Sequence, residues 1–287
     1  MGHGARRRAK FFAEHPYCIF CGGEVPATTE EHCPPRAMFR NSVWPEGFNF
    51  PACQDCNGGS SNADLMVAFL KRCSDPGDSA EATGALGTIK ATKRQLPGVL
   101  EQMGTGRASA IEARCLNRRF GNRPGPGQLH QDVAPAPLPK EIHGAMAVFA
   151  KKLAKGLFYR HFKTAFPNEG CLLLNWFTNT ERVRTGSYPL LDALAATLPS
   201  LEIPVRRSGK SLGDQFQAKV SMALDAKLLI VQATIGRAMG LVIVGSAQPG
   251  VLEQEFSEFL GGGSLLEVFE VLQSTILPVG PRQKVDP

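Results

Sequence analysis

Residues 17–23 read YCIFCGG, residues 28–39 read TTEEHCPPRAMF and residues 48–59 read FNFPACQDCNGG. Two Cys-x-x-Cys pairs, Cys18/Cys21 and Cys53/Cys56, therefore flank a Glu31-His32 step. Each pair puts two thiolates on one tight turn, which is half of a tetrahedral zinc site, and two halves make a closed four-cysteine site. A closed site is structural. It leaves the chemistry to the residues between and beside the knuckles: Glu31, His32, Asn49 and Asn57. The span between the pairs, 22–52, exceeds the roughly 15–20 residues of a compact zinc ribbon, so a structured insertion is expected there.

With its elements in this order, the segment 18–69 resembles the HNH endonuclease family in its zinc-stabilised form. In that family a zinc knuckle leads into a two-stranded hairpin bearing an acidic-His pair. A loop with an Asn follows, then a second knuckle ending in Cys-Asn, then a helix. Here the pair is Glu31-His32, with Pro34-Pro35 after it; the loop Asn is Asn49, and Asn57 directly follows the second knuckle. The helix is expected from 62 or 63 through Leu65, Val67, Phe69 and Leu70. Glu31 stands where the family usually has Asp, and Cys33 where it usually has an aliphatic residue.

The resemblance implies a metal-dependent endonuclease that hydrolyses DNA phosphodiester bonds with one Mg2+ or Mn2+. His32 would be the general base. Glu31 and Asn57 would supply oxygens to the divalent ion. Asn49 would fix the loop and the orientation of His32, and a structural Zn2+ would sit on Cys18, Cys21, Cys53 and Cys56. The residue types suit the task. A neutral His is a workable base near pH 7, and Mg2+ takes carboxylate and amide oxygens while keeping several waters. Other readings stay open: His32 as a zinc ligand replacing one Cys, Asn57 as a helix cap, Asn49 as a turn residue. The competing class is a non-catalytic zinc-binding module that binds nucleic acid or a protein partner. A nuclease directed at RNA is a third.

Composition agrees with a nucleic-acid partner without deciding for one. The 287 residues carry a net charge of +6, and a hydrophobic share of 43% suffices for a core. Arg6, Arg7, Arg8 and Lys10 read as a frayed basic tail or as an arm that contacts phosphates. The longest apolar region, 228–247, is broken by Gln232 and Arg237, so it reads as a β-hairpin and not a membrane span: LLIVQATI, a turn at Gly236-Arg237, then AMGLVIVGSA. Without a secretory signal, Cys33, Cys73, Cys115 and Cys171 read as reduced thiols in a cytoplasmic protein.

The expected fold is α+β in three parts. Residues 1–75 form a small zinc-knuckle ββα-metal module. Residues 76–139 form a helical segment and a Pro/Gly-rich linker. Residues 140–287 form a larger α+β domain with a mostly antiparallel sheet, whose role is open between target choice, a protein partner and homo-oligomerisation. Helices are expected over 88–103, interrupted at Pro97, and over 108–120. The strongest helix pattern runs over 140–165, with Ile142, Met146, Phe149, Leu153 and Leu157 on one stripe. Lys151, Lys152, Lys155, Arg160, His161 and Lys163 lie mostly off that stripe and read as a solvated face or a DNA-backbone contact. Strands are expected at 171–177, 201–205 and 216–223, and a short helix at 189–198. A further helix is expected at 252–260, before an apolar run at 265–272. Residues 208–211, SGKS, fail as a phosphate loop because Pro204 stands where that loop needs Gly.

Overall fold

The computed structural model describes residues 2–74, 79–104, 109–121, 123–127, 129–132, 134, 136–225, 227–249, 251–252 and 275–276. Helix α1 (His3–Glu14) precedes the first knuckle. Strand β1 (Thr29–His32) and strand β2 (Asn49–Ala52) form an antiparallel hairpin, with Glu31 opposite Phe50 and His32 opposite Asn49. Helices α2 (Gln54–Gly58) and α3 (Ser61–Ser74) follow directly. Next come α4 (Ser79–Gln95), α5 (Pro97–Gly104), α6 (Ala110–Phe120), the short strand β3 (Ala136–Pro137) and the long helix α7 (Lys140–Phe162). Strand β4 (Cys171–Thr178), helices α8 (Thr180–Thr185) and α9 (Pro189–Thr197), and strands β5 (Leu201–Glu202), β6 (Arg206–Arg207), β7 (Lys210–Ser211), β8 (Gln217–Ala223), β9 (Leu228–Ile235), β10 (Met239–Ser246) and β11 (Thr275–Ile276) complete the order.

Local chemistry accounts for several boundaries. Pro97 cannot donate a backbone hydrogen bond, and it separates α4 from α5. Ser109 and Glu112 close a capping box at the start of α6, and Gly121 at its end adopts φ 71°. The SGKS stretch is the two-residue β6–β7 turn, Ser208-Gly209, followed by β7 itself. Ser208 and Gly209 both have positive φ, as a two-residue hairpin turn requires.

The main sheet is antiparallel, in the order β4-β10-β9-β8-β5. Its two faces bury alternate residues. Leu241 and Ile243 of β10 enter the large core with α7, while Val242 and Val244 pack with Leu191 and Tyr188 beside α9. The stripe residues Ile142, Met146, Phe149, Leu153 and Leu157 are fully buried in the large core, as their period predicts. That core also holds Ile19, Phe48, Phe50, Val67, Phe69 and Val99. The segments 1–75, 76–139 and 140–287 thus contribute to one continuous core. The expectations at 253–260 and 265–272 lie outside the described residues.

Lys152 and Lys155 differ from the sequence reading. Both are buried, because α7 passes between the β1–β2 hairpin and the main sheet and has a second inward face. Along that face, Lys152 meets Glu31, Lys155 donates to the Phe20 carbonyl (2.8 Å), Gly156 abuts Phe50, and Tyr159 bonds His15 (2.7 Å). Arg160 donates to the Gly47 carbonyl (3.4 Å). These positions recur every three or four residues, which is one side of a helix.

A Cβ at Gly156 would lie 2.7 Å from the Phe50 ring, and that ring is itself held in the core. Helix propensity alone makes Gly→Ala stabilising by roughly 0.8–1.0 kcal/mol. Here the sign should reverse. Gly156→Ala is expected to destabilise by about 1–3 kcal/mol. Gly144→Ala in the same helix, where a Cβ meets nothing, is expected to stabilise. Thermal unfolding of the two variants checks the contrast.

Candidate functional site

The site is framed by Cys18, Cys21, Cys53 and Cys56, whose sulfurs all lie within 4.8 Å of one another. Zn–S bonds of about 2.3 Å in a tetrahedron put sulfurs roughly 3.8 Å apart, so the quartet can close on a metal such as zinc with little movement. Two turns build it. Cys18 N–H donates to the Val25 carbonyl (2.7 Å), and Cys53 caps α2, its sulfur accepting from Cys56 N–H (3.4 Å). Burial and the neighbouring Cys18 thiol push Cys21 up to about 11, so without a cation the Cys21 thiol resists ionising. Cys53→Ser is expected to lower bound zinc from one per chain to none and to drop the melting temperature. Metal analysis and thermal unfolding read the two effects.

Between the knuckles, β1 separates its side chains by face. Adjacent residues of a strand point to opposite sides. Glu30 and His32 share the outer face, and Glu31 points inward and is 4% exposed. On the outer face Trp44 is the hub. Its Nε1 donates to Asn49 Oδ1 (3.1 Å), and Asn49 Nδ2 donates to Glu30 Oε2 (3.2 Å). The His32 ring meets the indole edge to face, with centroids 5.0 Å apart. The guanidiniums of Arg36 and Arg207 lie over the same indole, 3.8 and 4.3 Å from its centre. Arg7 of α1 reaches Glu30 Oε1 (3.5 Å). Partial burial first and the Arg36 guanidinium second, with Glu30 pulling the other way, bring His32 down to about 4. At neutral pH the imidazole is uncharged among three arginines.

Arg207 comes from β6, far along the chain, and the 33–48 loop is clamped to that region. Arg40 N–H donates to Gln215 Oε1 (2.7 Å), and the Arg40 guanidinium pairs with Asp214 (2.9 Å). Glu46 N–H donates to the Arg206 carbonyl (2.9 Å), and Ser208 N–H donates to the Glu46 carboxylate (3.0 Å). Phe48 packs edge-on against Phe216.

The inner face holds a different group. Lys152 Nζ donates to Glu31 Oε1 (2.6 Å), Ser60 Oγ (2.8 Å) and Asp64 Oδ2 (3.0 Å). Burial raises Glu31 to about 7 against the pull of Lys152, and burial also raises Asp64. Burial works against the ammonium too, but Cys33, Asp64 and Glu31 outweigh it and hold Lys152 above its ordinary value. The lysine stays charged, and it serves two carboxyls at once.

The expected site residues therefore fall in three places. His32 and Asn49 share the outer face. Glu31 lies on the inner face, ion-paired to Lys152. Asn57, within α2, turns its amide to the Glu30 carbonyl (3.4 Å), between the two. Asn49 braces Trp44 and Glu30, and it lies directly opposite His32 in the β1–β2 ladder. Of the basic residues near the N-terminus, Arg7 joins the site. Arg8 is tied to the Thr28 carbonyl (2.8 Å), Lys10 pairs with Glu14 within α1, and Arg6 is exposed; the segment is a helix and not a frayed tail. A divalent ion on Glu31 and Asn57 does not fit this arrangement, because the Lys152 ammonium stands against the Glu31 carboxylate. Glu30, Trp44, Arg36, Arg207, Asp64 and Lys152 were not singled out as site residues from sequence. For Glu30 the signal was present: it is two residues from His32 on a strand. No family model, no curated protein and no solved structure matches this chain.

Proposed function

We propose that this protein is an endonuclease of the HNH type, hydrolysing phosphodiester bonds of a nucleic acid, DNA foremost, on the outer face of β1. The observation that carries the reading is geometric: His32 lies against Trp44, which Arg36 and Arg207 cover, with Arg7 on the neighbouring Glu30, on a hairpin framed by four cysteines. Zinc bound by the quartet supplies structure only.

In the proposed reaction His32 takes a proton from water as the water oxygen bonds phosphorus. The bond to the leaving oxygen breaks, and that oxygen takes a proton from solvent. The arginines hold the phosphate and offset the charge that develops on it. Glu30 holds Arg7, and Asn49 holds Trp44, so both act by positioning. The carboxylate partnered with His32 in this scheme is Glu30, because Glu31 is spent on Lys152.

Supercoiled-plasmid cleavage tests the proposal. The zinc-loaded protein is expected to nick, and His32→Ala is expected to lose about 10²–10⁴-fold in rate, the usual worth of a general base. Cleavage that survives in His32→Ala overturns the assignment. Retained DNA binding without cleavage in the wild type moves the reading to a zinc-binding module.

The pH profile is a second test. A group that reaches its protonated form only near pH 4 remains a base as pH falls from 8 to 5.5. Over that range kcat/KM is expected to stay flat, whereas an ordinary His would already lose activity below about 6.5. An inflection near 6.5 would count against the arginine-surrounded base.

A further inference from the structure

The inner face of β1 offers two carboxylates and a hydroxyl, from Glu31, Asp64 and Ser60, converging on one point. Oxygen donors of this kind are what hard divalent cations take. The point is filled by the chain itself. Lys152 is 6% exposed, and its ammonium has a separate acceptor for each of its three protons, at 2.6, 2.8 and 3.0 Å. It arrives from α7, far along the sequence, on the helix side that also brings Lys155 to Phe20 of the first knuckle, Gly156 against Phe50 of the hairpin and Tyr159 to His15.

We infer that Lys152 is a built-in cation that takes the place of a divalent metal in the Glu31–Ser60–Asp64 cage. The intact protein keeps this cage free of metal, and removing the lysine side chain converts it into a divalent-cation site. The physical reasons are charge and space. The buried Glu31 carboxyl and the part-buried Asp64 carboxyl need positive charge beside them, and the ammonium supplies it at no cost in bound ligand. A metal entering beside Lys152 would put two cations within bonding distance of the same oxygens. With Lys152 shortened, two carboxylates and a divalent ion balance without a proton. The reaction at His32 then draws its positive charge from arginine, on the opposite face of the strand.

Mn2+ binding to the zinc-loaded full chain decides this, followed by electron paramagnetic resonance of the free ion. Wild type and Glu31→Gln are expected to bind Mn2+ alike, because the cage is already occupied. Lys152→Ala is expected to gain one Mn2+ per chain and to lose it again in Lys152→Ala/Glu31→Gln. Its melting temperature is also expected to rise with Mn2+ while that of the wild type does not. A wild-type Mn2+ site that disappears in Glu31→Gln overturns the inference. So does a folded Lys152→Ala protein that takes up no Mn2+. If Lys152→Ala does not fold, the wild-type and Glu31→Gln pair still decides. None of these readings depends on strand cleavage, so the inference and the nuclease proposal can fail separately.

Discussion

Lys152 Nζ sits between Glu31, Ser60 and Asp64, and most of the arrangement around the β1–β2 hairpin follows from that contact. Burying a carboxylate from a strand and another from α3 is costly unless a cation comes with them. The cation comes on α7, whose apolar stripe is already committed to the core with the main sheet. One helix therefore joins the hairpin to the sheet: the apolar side carries the burial, and the side with Lys152, Lys155, Tyr159 and Arg160 carries directional bonds. Removing one partner of such a buried pair typically costs about 3–5 kcal/mol, because the charge left behind has nowhere to go.

The outer face is organised by the opposite logic. There the positive charge is in excess and partly exposed, and the imidazole is kept uncharged by its burial first and by that charge second. Trp44 gives the arginines a surface to lie on and fixes Asn49 through its ring N–H. The four thiols hold both ends of the hairpin, while Asp214, Gln215, Arg206 and Ser208 hold the loop between its strands. The face is thus assembled from α1, the hairpin, the loop and the β6–β7 turn. The backbone of β1 alone separates it from the lysine cage, and because adjacent side chains of a strand face apart, one side of β1 holds a neutral base and the other an ion pair.

Much of the local structure was legible in the residues. The 228–247 stretch became β9, a turn and β10, because alternation and a Gly turn act within a few residues. Ile142 through Leu157 went to the core as their spacing requires. The Glu31-His32 pair shows where such reading stops short. The two residues are neighbours in sequence, and that invited one shared site. In a strand, neighbours face apart, and His32 has Glu30 for company. Lys152 and Lys155 carry the same charge as the exposed Lys151 and Lys163. Nothing within one turn of helix tells a buried lysine from a solvated one when its partners lie on β1 and α3.

The sequence by itself determined the two knuckles, the hairpin between them, the β9–β10 hairpin and an apolar stripe on α7. Each depends on spacing, period or turn chemistry over a short span. Only the tertiary structure decided which face of β1 met arginine and which met lysine, that Arg207 would stand beside His32, and that Glu31 would bond Lys152 instead of pointing with the histidine. Those outcomes depend on charges that are far apart in the chain. They are settled when the core closes and each buried ionic group has to find a partner.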